Sequence, residues 1–170
     1  KTDEAAAALA EALQMESVPY RIESYDISNI GNEHITAGMI VMEGGRFAKK
    51  EYRSFKISGT RGQDDYGSLR EALTRRLKYL VPDENGEIVN SSFSSFPDLI
   101  LLDGGANHLS VALEVMNELG VSVPVAGMVK DDYHKTRALV VFDGSDFCEV
   151  NIAKQRNVYV LLYKIQEEVH

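Results

Sequence analysis

The sequence predicts an α/β fold: a mixed sheet in which an antiparallel three-strand meander is followed by parallel strands, with helices on both faces. Three consecutive strand patterns predict the meander, at 20–30, 35–42 and 47–57. The pair Gly44-Gly45 suits a tight hairpin between the last two of them. Short apolar runs at 98–102 and 123–129 alternate with helical patterns, which predicts the parallel part of the sheet.

Four segments show helical spacing of apolar residues, at 3–16, 64–80, 109–119 and 157–170. In the second of these, Arg70, Arg75 and Arg76 lie off the apolar stripe. Two further strands are expected at 138–142 and 147–152. Because a helix separates the meander from the 98–102 run, that run should form a strand parallel to one strand of the meander.

The composition limits the class of protein. At 170 residues, the chain fits one domain with a sizeable core. It has 44% hydrophobic residues and no long apolar run, which predicts a soluble, cytoplasmic protein without membrane contact. The single Cys148 fits a reducing compartment. The net charge of −8 argues against a domain that binds nucleic acid through a broadly positive surface. The first residue is Lys1 rather than Met, from which we expect a piece of a larger protein.

Two aspartates occupy positions that are unusual for their residue type. Asp26 lies inside an apolar strand pattern, and Asp103 follows the run Leu-Ile-Leu-Leu, just before two glycines. If the two strands are neighbours, the carboxylates come close together and repel each other unless a cation lies between them. Hard oxygen ligands of this kind suit Mg²⁺ or Mn²⁺. The alternative is that each aspartate caps a turn or pairs with an arginine.

Five segments, in this order, carry a family resemblance: YDISN, DDYGSLREALTRRL, PDLILLDGG, KDDYHKTR and IQEEVH. Together they resemble the carboxyl-terminal endonuclease domain of UvrC, the incision subunit of bacterial nucleotide excision repair. The resemblance implies a ribonuclease H-like fold over residues 20–170, with 1–19 as an amino-terminal helix or linker. It also implies a catalytic, metal-binding Asp-Asp-His triad, formed by Asp26, Asp103 and His170, that uses Mg²⁺ or Mn²⁺.

By this resemblance, the domain hydrolyses a DNA phosphodiester on the 5′ side of a lesion. Its partners would be damaged double-stranded DNA and UvrB, with UvrA acting upstream, through segments outside this sequence. Two other functions stay open: a ribonuclease H-like nuclease for RNA or RNA–DNA hybrids, and a non-catalytic interaction domain. A nucleotide-binding α/β domain is a weaker alternative, because the sequence contains no complete phosphate-loop pattern.

The final helix supports His170 as the third member of the triad. Its apolar stripe consists of Val158, Leu161, Leu162, Ile165 and Val169. His170 lies roughly 120° from the centre of that stripe, on a flank that can face the end of the sheet. The alternative is an exposed terminal residue.

Other polar residues are expected around the site. Four are candidates for contacts to the DNA backbone or for support of the metal ligands: Lys130, His134, Arg137 and Arg70. His108 lies just past Asp103, near the start of a helix, and is expected at the mouth of the site. The family usually has a lysine where this chain has Ala106, so the resemblance assigns no role to that position.

Overall fold

The structure is a computed structural model that describes residues 2–30, 34–58, 65–88 and 95–169. Within these residues, eight strands form one sheet. The strands are β1 (Arg21–Ile30), β2 (His34–Glu43), β3 (Arg46–Phe47), β4 (Arg53–Lys56), β5 (Leu99–Asp103), β6 (Val125–Lys130), β7 (Thr136–Phe142) and β8 (Phe147–Asn151). The helices are α1 (Thr2–Ala12), α2 (Asp65–Leu77), α3 (Ala106–Leu119) and α4 (Arg156–Val169).

The sheet has the mixed topology that the sequence predicts. Its strand order is β3-β2-β1-β5-β6-β7-β8, and β4 pairs with β2 beside β3. The β1–β2 pair is antiparallel, whereas β5 runs parallel to β1 and β6 runs parallel to β5. The last two strands return antiparallel to their neighbours. The meander followed by parallel strands is therefore confirmed, and a hairpin extends the sheet beyond β6.

The predicted third strand, 47–57, is wrong as a single element. A 3₁₀ turn at Lys49–Glu51 divides it into β3 and β4. The turn brings the Glu51 carboxylate to the guanidinium of Arg21, which donates to it at 2.9 Å. Arg21 is buried, so its guanidinium requires hydrogen-bond acceptors. The alternation of polar and apolar residues in 47–57 does not reveal that Glu51 is one of these acceptors.

The two faces of the sheet carry separate hydrophobic cores. Helices α2 and α3 pack on one face, and we call that core the α2/α3 core. Helices α1 and α4 pack on the other face, and that core is the α1/α4 core. The stripe predicted for the final helix is confirmed, because Val158, Leu161, Leu162 and Ile165 are all buried there. None of the described helices is long and apolar enough to span a membrane.

Arg76 differs from the expectation that it lies off the buried side of its helix. Its side chain is 0% exposed and faces β1, where it donates to Glu23 at 2.7 Å. Glu23 is also 0% exposed, and it accepts a second ion pair from Arg21 at 2.9 Å. The hydroxyl of Tyr25 donates to the same carboxylate at 2.6 Å. We call these four side chains the Glu23 network; it joins α2 to β1 through charges that the apolar pattern cannot predict.

Candidate active site

The first two predicted catalytic residues lie side by side at one edge of the sheet. In the parallel pair of β1 and β5, Tyr25 is opposite Leu102, so Asp26 and Asp103 are the next residues on each strand. The condition under which the two carboxylates come close together, that their strands are neighbours, is therefore met. Asp103 ends β5, and Asp26 lies where the parallel pairing of β1 with β5 ends, although β1 itself continues to Ile30. The carboxyl end of β5 is at the edge at which open α/β sheets bind ligands.

Strand alternation places both aspartates on the same face. Ile22 on β1 and Leu101 on β5 both pack into the α1/α4 core. Because successive side chains of a strand point to opposite faces, Asp26 shares the face of Ile22, and Asp103 shares the face of Leu101. The two carboxylates therefore belong to the face that α4 covers. We call this pair and its surroundings the strand-end site.

A cavity of about 110 Å³ opens beside the two aspartates on the α2/α3 side of the sheet, where its apolar walls belong to the α2/α3 core. Asp26 and Asp103 line it together with Asp65, at the beginning of α2, and His108, in the first turns of α3. The expectation that His108 lies at the mouth of the site is thus confirmed, whereas Asp65 was expected only to start a helix. A cavity of this size with polar walls has room for several water molecules.

Lys130 supplies the positive charge nearest to Asp103. Its ammonium group donates to the Asp103 carboxylate at 3.0 Å, and the side chains are 27% and 20% exposed. Lys130 ends β6, which is the parallel neighbour of β5, so the pair spans two adjacent strand ends. A partly exposed ion pair of this kind contributes only about 0–1 kcal/mol to stability, which leaves its ammonium replaceable by another cation.

Two glycines allow the close packing around Asp103. A Cβ on Gly104 would lie 2.1 Å from Nδ1 of His108, so the imidazole rests directly on the glycine backbone. A Cβ on Gly127 of β6 would lie 2.3 Å from the carbonyl oxygen of Gly104. Tyr66 of α2 contacts the His108 ring edge-on, at 4.8 Å between ring centroids. These contacts fix the turn after Asp103 against both α2 and β6.

The last turn of α4 is held beside the strand-end site by two hydrogen bonds. Thr136, which pairs with Lys130 across β6 and β7, donates through Oγ1 to Oε1 of Gln166 at 2.6 Å. Tyr52 donates through its hydroxyl to Glu168 at 2.7 Å. Burial, followed by the bond to Glu168, raises the pKa of Tyr52. The end of the helix is therefore fixed on two sides.

The third predicted triad member cannot be compared with this geometry, since His170 lies outside the described residues. Val169, the residue before it, packs against the α1/α4 core. Nε2 of Gln166 is buried and has no hydrogen-bond partner among the described residues, so one donor of this last turn stays unused. Across the described ranges, no three acidic, histidine or cysteine side chains form a group able to hold a metal ion.

Of the four residues predicted to contact the DNA backbone or to support the metal ligands, Arg70 and Arg137 form ion pairs away from the aspartates, and His134 lies in an exposed turn. Arg70 forms ion pairs with Glu114 and with Glu118 of α3, the latter at 3.4 Å. Arg137 is exposed and donates to Glu149 of β8 at 2.9 Å. His134 lies at φ 63° in an exposed turn, so it is accessible to solvent but is not joined to the aspartates by any described contact.

The turn that carries His134 is organised by Asp131. Oδ1 of Asp131 accepts the backbone N–H groups of Lys135 at 3.0 Å and of Tyr133 at 2.8 Å. These bonds, with Lys135 the larger cause, lower the pKa of the Asp131 carboxyl. The polar stretch after β6 is therefore a well-formed turn, whose geometry is explained by local hydrogen bonds.

Comparison with protein families gives a match over residues 10–170 to the family described as the UvrC RNAse H endonuclease domain. The chain belongs to this family. The resemblance inferred from the five sequence segments is thereby confirmed, and the ribonuclease H-like mixed sheet agrees with it.

Two relatives in the family are similar over nearly the whole chain. The UvrABC system protein C of Alkaliphilus oremlandii is 42% identical over 176 residues, which cover 100% of this chain and 28% of that protein. The one of Ruminiclostridium cellulolyticum is 44% identical over 167 residues, which cover 98% of this chain and 27% of that protein. The chain thus spans little more than a quarter of the length of these UvrC relatives.

A solved structure of endonuclease V from Ciona intestinalis, in complex with DNA containing an inosine, covers 89% of this chain and 84% of that one. Its sequence identity is 11% and its TM-score is 0.45. At that TM-score the likeness carries no weight here, and the assignment to the UvrC endonuclease family rests on the sequence match.

Proposed function

We propose that this domain is a metal-dependent DNA endonuclease that makes the incision on the 5′ side of a lesion in nucleotide excision repair. The observation that carries the proposal is the pair Asp26 and Asp103 on adjacent parallel strands, on one face, where the pairing of β1 with β5 ends, in a UvrC-family endonuclease domain. Two neighbouring carboxylates that share a cavity form a site for a divalent cation.

The chemistry of the strand-end site fits Mg²⁺ or Mn²⁺. Asp26 and Asp103 offer hard oxygen ligands, and the cavity that both of them line is large enough to admit water. These two residues would hold a divalent cation, which would supply a lowered pKa of bound water and a positive charge to balance the phosphodiester. His170 would complete the ligand set or orient the attacking water, and its preference for softer ions would make Mn²⁺ more acceptable.

Lys130 has two roles in this proposal. It neutralises Asp103 through the 3.0 Å ion pair before a metal enters, which limits the repulsion between the two aspartates. If Asp103 held a divalent cation, the Lys130 ammonium would be free at the edge of the site to contact a phosphate oxygen. His134, Arg137 and Arg70 would contribute at most to more distant parts of the DNA backbone.

We assign residues 20–170 to the endonuclease domain, and α1 to an additional element that packs through Ala5 and Leu9 against the α1/α4 core. The substrate would be damaged double-stranded DNA, delivered by UvrB after UvrA, in the cytoplasm. The exposed free thiol of Cys148 is compatible with a reducing compartment.

The test uses metal binding and incision as separate measurements. Mn²⁺ binding to the 170-residue chain is measured by calorimetry. Incision is measured with this domain in place of the matching domain of the Alkaliphilus oremlandii protein, together with UvrA, UvrB and a duplex that carries one defined lesion. We expect Asp103→Asn to abolish Mn²⁺ binding and to reduce 5′ incision by more than the roughly 10- to 100-fold that changes around a metal ligand cost.

Asp146→Asn is the matched control. It removes the same charge from the exposed β7–β8 turn, at the opposite end of the sheet, and should leave both measurements unchanged. If Asp103→Asn retains incision in a folded protein, the proposed function is wrong. Faster cleavage of an RNA–DNA hybrid than of the damaged duplex would instead favour a ribonuclease.

A further inference from the structure

A large groove lies on the α1/α4 face, at the end of the sheet opposite the strand-end site. It has a volume of about 1150 Å³ and is bounded by α1, by the first half of α4 and by the β2–β3 hairpin. Because β2 is antiparallel to β1, this hairpin lies beside Arg21, where β1 begins. We call it the basic groove, after four lining residues: Arg46, Lys154, Arg156 and Lys164.

The four cations are exposed and unpaired. Within the described residues none of them forms a salt bridge or a side-chain hydrogen bond, and no described carboxylate lines the groove. The chain has 26 acidic and 18 basic residues and is therefore negatively charged overall. The four unpaired cations make the surface of this groove positive instead. Lys154 and Arg156 also flank the beginning of α4, where the helix dipole disfavours positive charge. Their position is therefore explained by an anionic ligand rather than by helix stability.

The floor of the groove is apolar. It is formed by Met42 and Phe47 from the hairpin strands and by Val160 and Leu161 from α4, with Phe47 and Val160 partly exposed. Intact duplex DNA presents phosphates but keeps its base faces stacked, so it would use only the cations. An unpaired strand offers base faces to apolar and aromatic side chains and phosphates to cations, so it would use both parts of the groove.

We propose that the basic groove binds an unpaired DNA strand and leads it along α4 to the strand-end site. This inference rests on the proposed function. Lys164 lies about 8 Å and Arg156 about 20 Å from Val169 along the helix axis. The last turn of α4 is fixed beside the site through the bond between Gln166 and Thr136. A strand bound along α4 therefore reaches the aspartates on the same face of the sheet.

The test is the affinity of the 170-residue chain for a fluorescein-labelled 15-nucleotide single strand, measured by anisotropy without divalent metal. Lys154→Glu and Lys164→Glu are compared with Lys78→Glu, which makes the same charge change at an exposed residue beside α2. We expect each groove variant to bind about three- to tenfold more weakly. In the double variant, the slope of log K against log salt should fall by about 1.4, since each lost phosphate contact removes about 0.7. Lys78→Glu should match wild type.

Three results would overturn this inference. Equal losses of single-strand affinity in the groove variants and in Lys78→Glu would mean that the affinity depends only on the net charge of the protein. Equal affinity for the same sequence as a blunt duplex would remove the requirement for an unpaired strand. Displacement of the labelled strand from wild type by polyglutamate at equal charge concentration, without any advantage for DNA, would assign the groove to an acidic polypeptide.

The failure of this inference can be told from the failure of the proposed function, because the binding assay contains no metal and measures no cleavage. Loss of strand affinity in the groove variants with no effect of Asp103→Asn on incision would refute only the proposed function. Loss of incision in Asp103→Asn with unchanged strand affinity in the groove variants would refute only the role of the basic groove.

Discussion

Strand β1 carries two acidic sites, three residues apart and on opposite faces, that differ in how their charge is balanced. Glu23 is 0% exposed and accepts bonds from Arg21, Arg76 and Tyr25. Asp26 lies beside Asp103 in the wall of a cavity, and Asp103 forms an ion pair with the partly exposed Lys130.

The difference separates a carboxylate whose charge is fully balanced from one that remains open to a ligand. Glu23 is surrounded by two guanidinium groups and a hydroxyl, so it has no open position for a ligand. At the strand-end site, both carboxylates line an open cavity and Asp103 pairs with the ammonium group of Lys130, an arrangement that a divalent cation can enter. Substitutions in the Glu23 network should therefore change stability, and substitutions at the strand-end site should change metal binding.

The largest effect is expected for Arg76→Met, which removes one of the two guanidinium groups from buried Glu23. Breaking a buried ion pair by removing one partner costs about 3–5 kcal/mol. The neighbouring Arg75→Met is the control, since Arg75 is 42% exposed and its pair with Glu71 is long, at 3.6 Å. Urea unfolding should show the large loss only for Arg76→Met. Similar losses of unfolding free energy in both variants would contradict a special structural role for the Glu23 network.

A smaller loss of stability is expected for Thr136→Val. Thr136 binds Gln166 and thereby holds the last turn of α4 beside the strand-end site. The substitution leaves Oε1 of buried Gln166 without its donor, which costs about 1–3 kcal/mol. Thr136→Ser keeps the hydroxyl and should retain most of that stability. We expect incision to fall in Thr136→Val as the last turn of α4 loosens. Unchanged incision would show that the position of this turn is unimportant to the site.

Alkaline pH should weaken the Glu23 network. Burial, with the charge of Glu23 as a further cause, raises the pKa of Tyr25 well above its usual value. A raised folded-state pKa stabilises the protein below the unfolded pKa of about 10, and this contribution is lost as the pH rises further. Unfolding free energies measured from pH 8 to 11 should fall more steeply for wild type than for Tyr25→Phe. Equal slopes in wild type and Tyr25→Phe would mean that a group other than Tyr25 causes the loss of stability.

The smallest change in stability is expected for Lys130→Met, because its pair with Asp103 is partly exposed. Loss of the competing ammonium should tighten Mn²⁺ binding about three- to fivefold, which corresponds to roughly 1 kcal/mol or less. Lys135→Met, in the exposed turn after β6, should leave Mn²⁺ affinity unchanged. Weaker Mn²⁺ binding in Lys130→Met would mean that the ammonium organises the ligands rather than competing with the metal.

The sequence predicted those parts of the fold that rest on periodicity and chain order. The crossover helix implied that β5 runs parallel to a strand of the meander. The structure identifies β1 as that strand, which places Asp26 next to Asp103. The stripe of α4 was likewise visible in its spacing. In contrast, the break between β3 and β4 depends on Glu51 reaching Arg21, a contact between residues 30 positions apart.

The remaining details of the site depend on which strands become neighbours. Lys130 was predicted to be near the site, but its bond to Asp103 requires β6 to lie beside β5. The role of Asp65 as a cavity wall depends on where α2 begins relative to β1. The double glycine after Asp103 was a usable signal of close packing, and the structure identifies the His108 ring as the packed group.

The opposite orientations of Glu23 and Asp26 also define the register of β1. A slip of one residue along β1 would turn every side chain to the other face. Asp26 would then point into the α2/α3 core, and Glu23 would leave Arg76 uncompensated beneath α2. Both outcomes bury unpaired charge. The Glu23 network thus favours the observed register of β1. The ion pair of Glu23 with Arg76 thereby specifies the face of the sheet on which Asp26 lies, although it does not contact that residue.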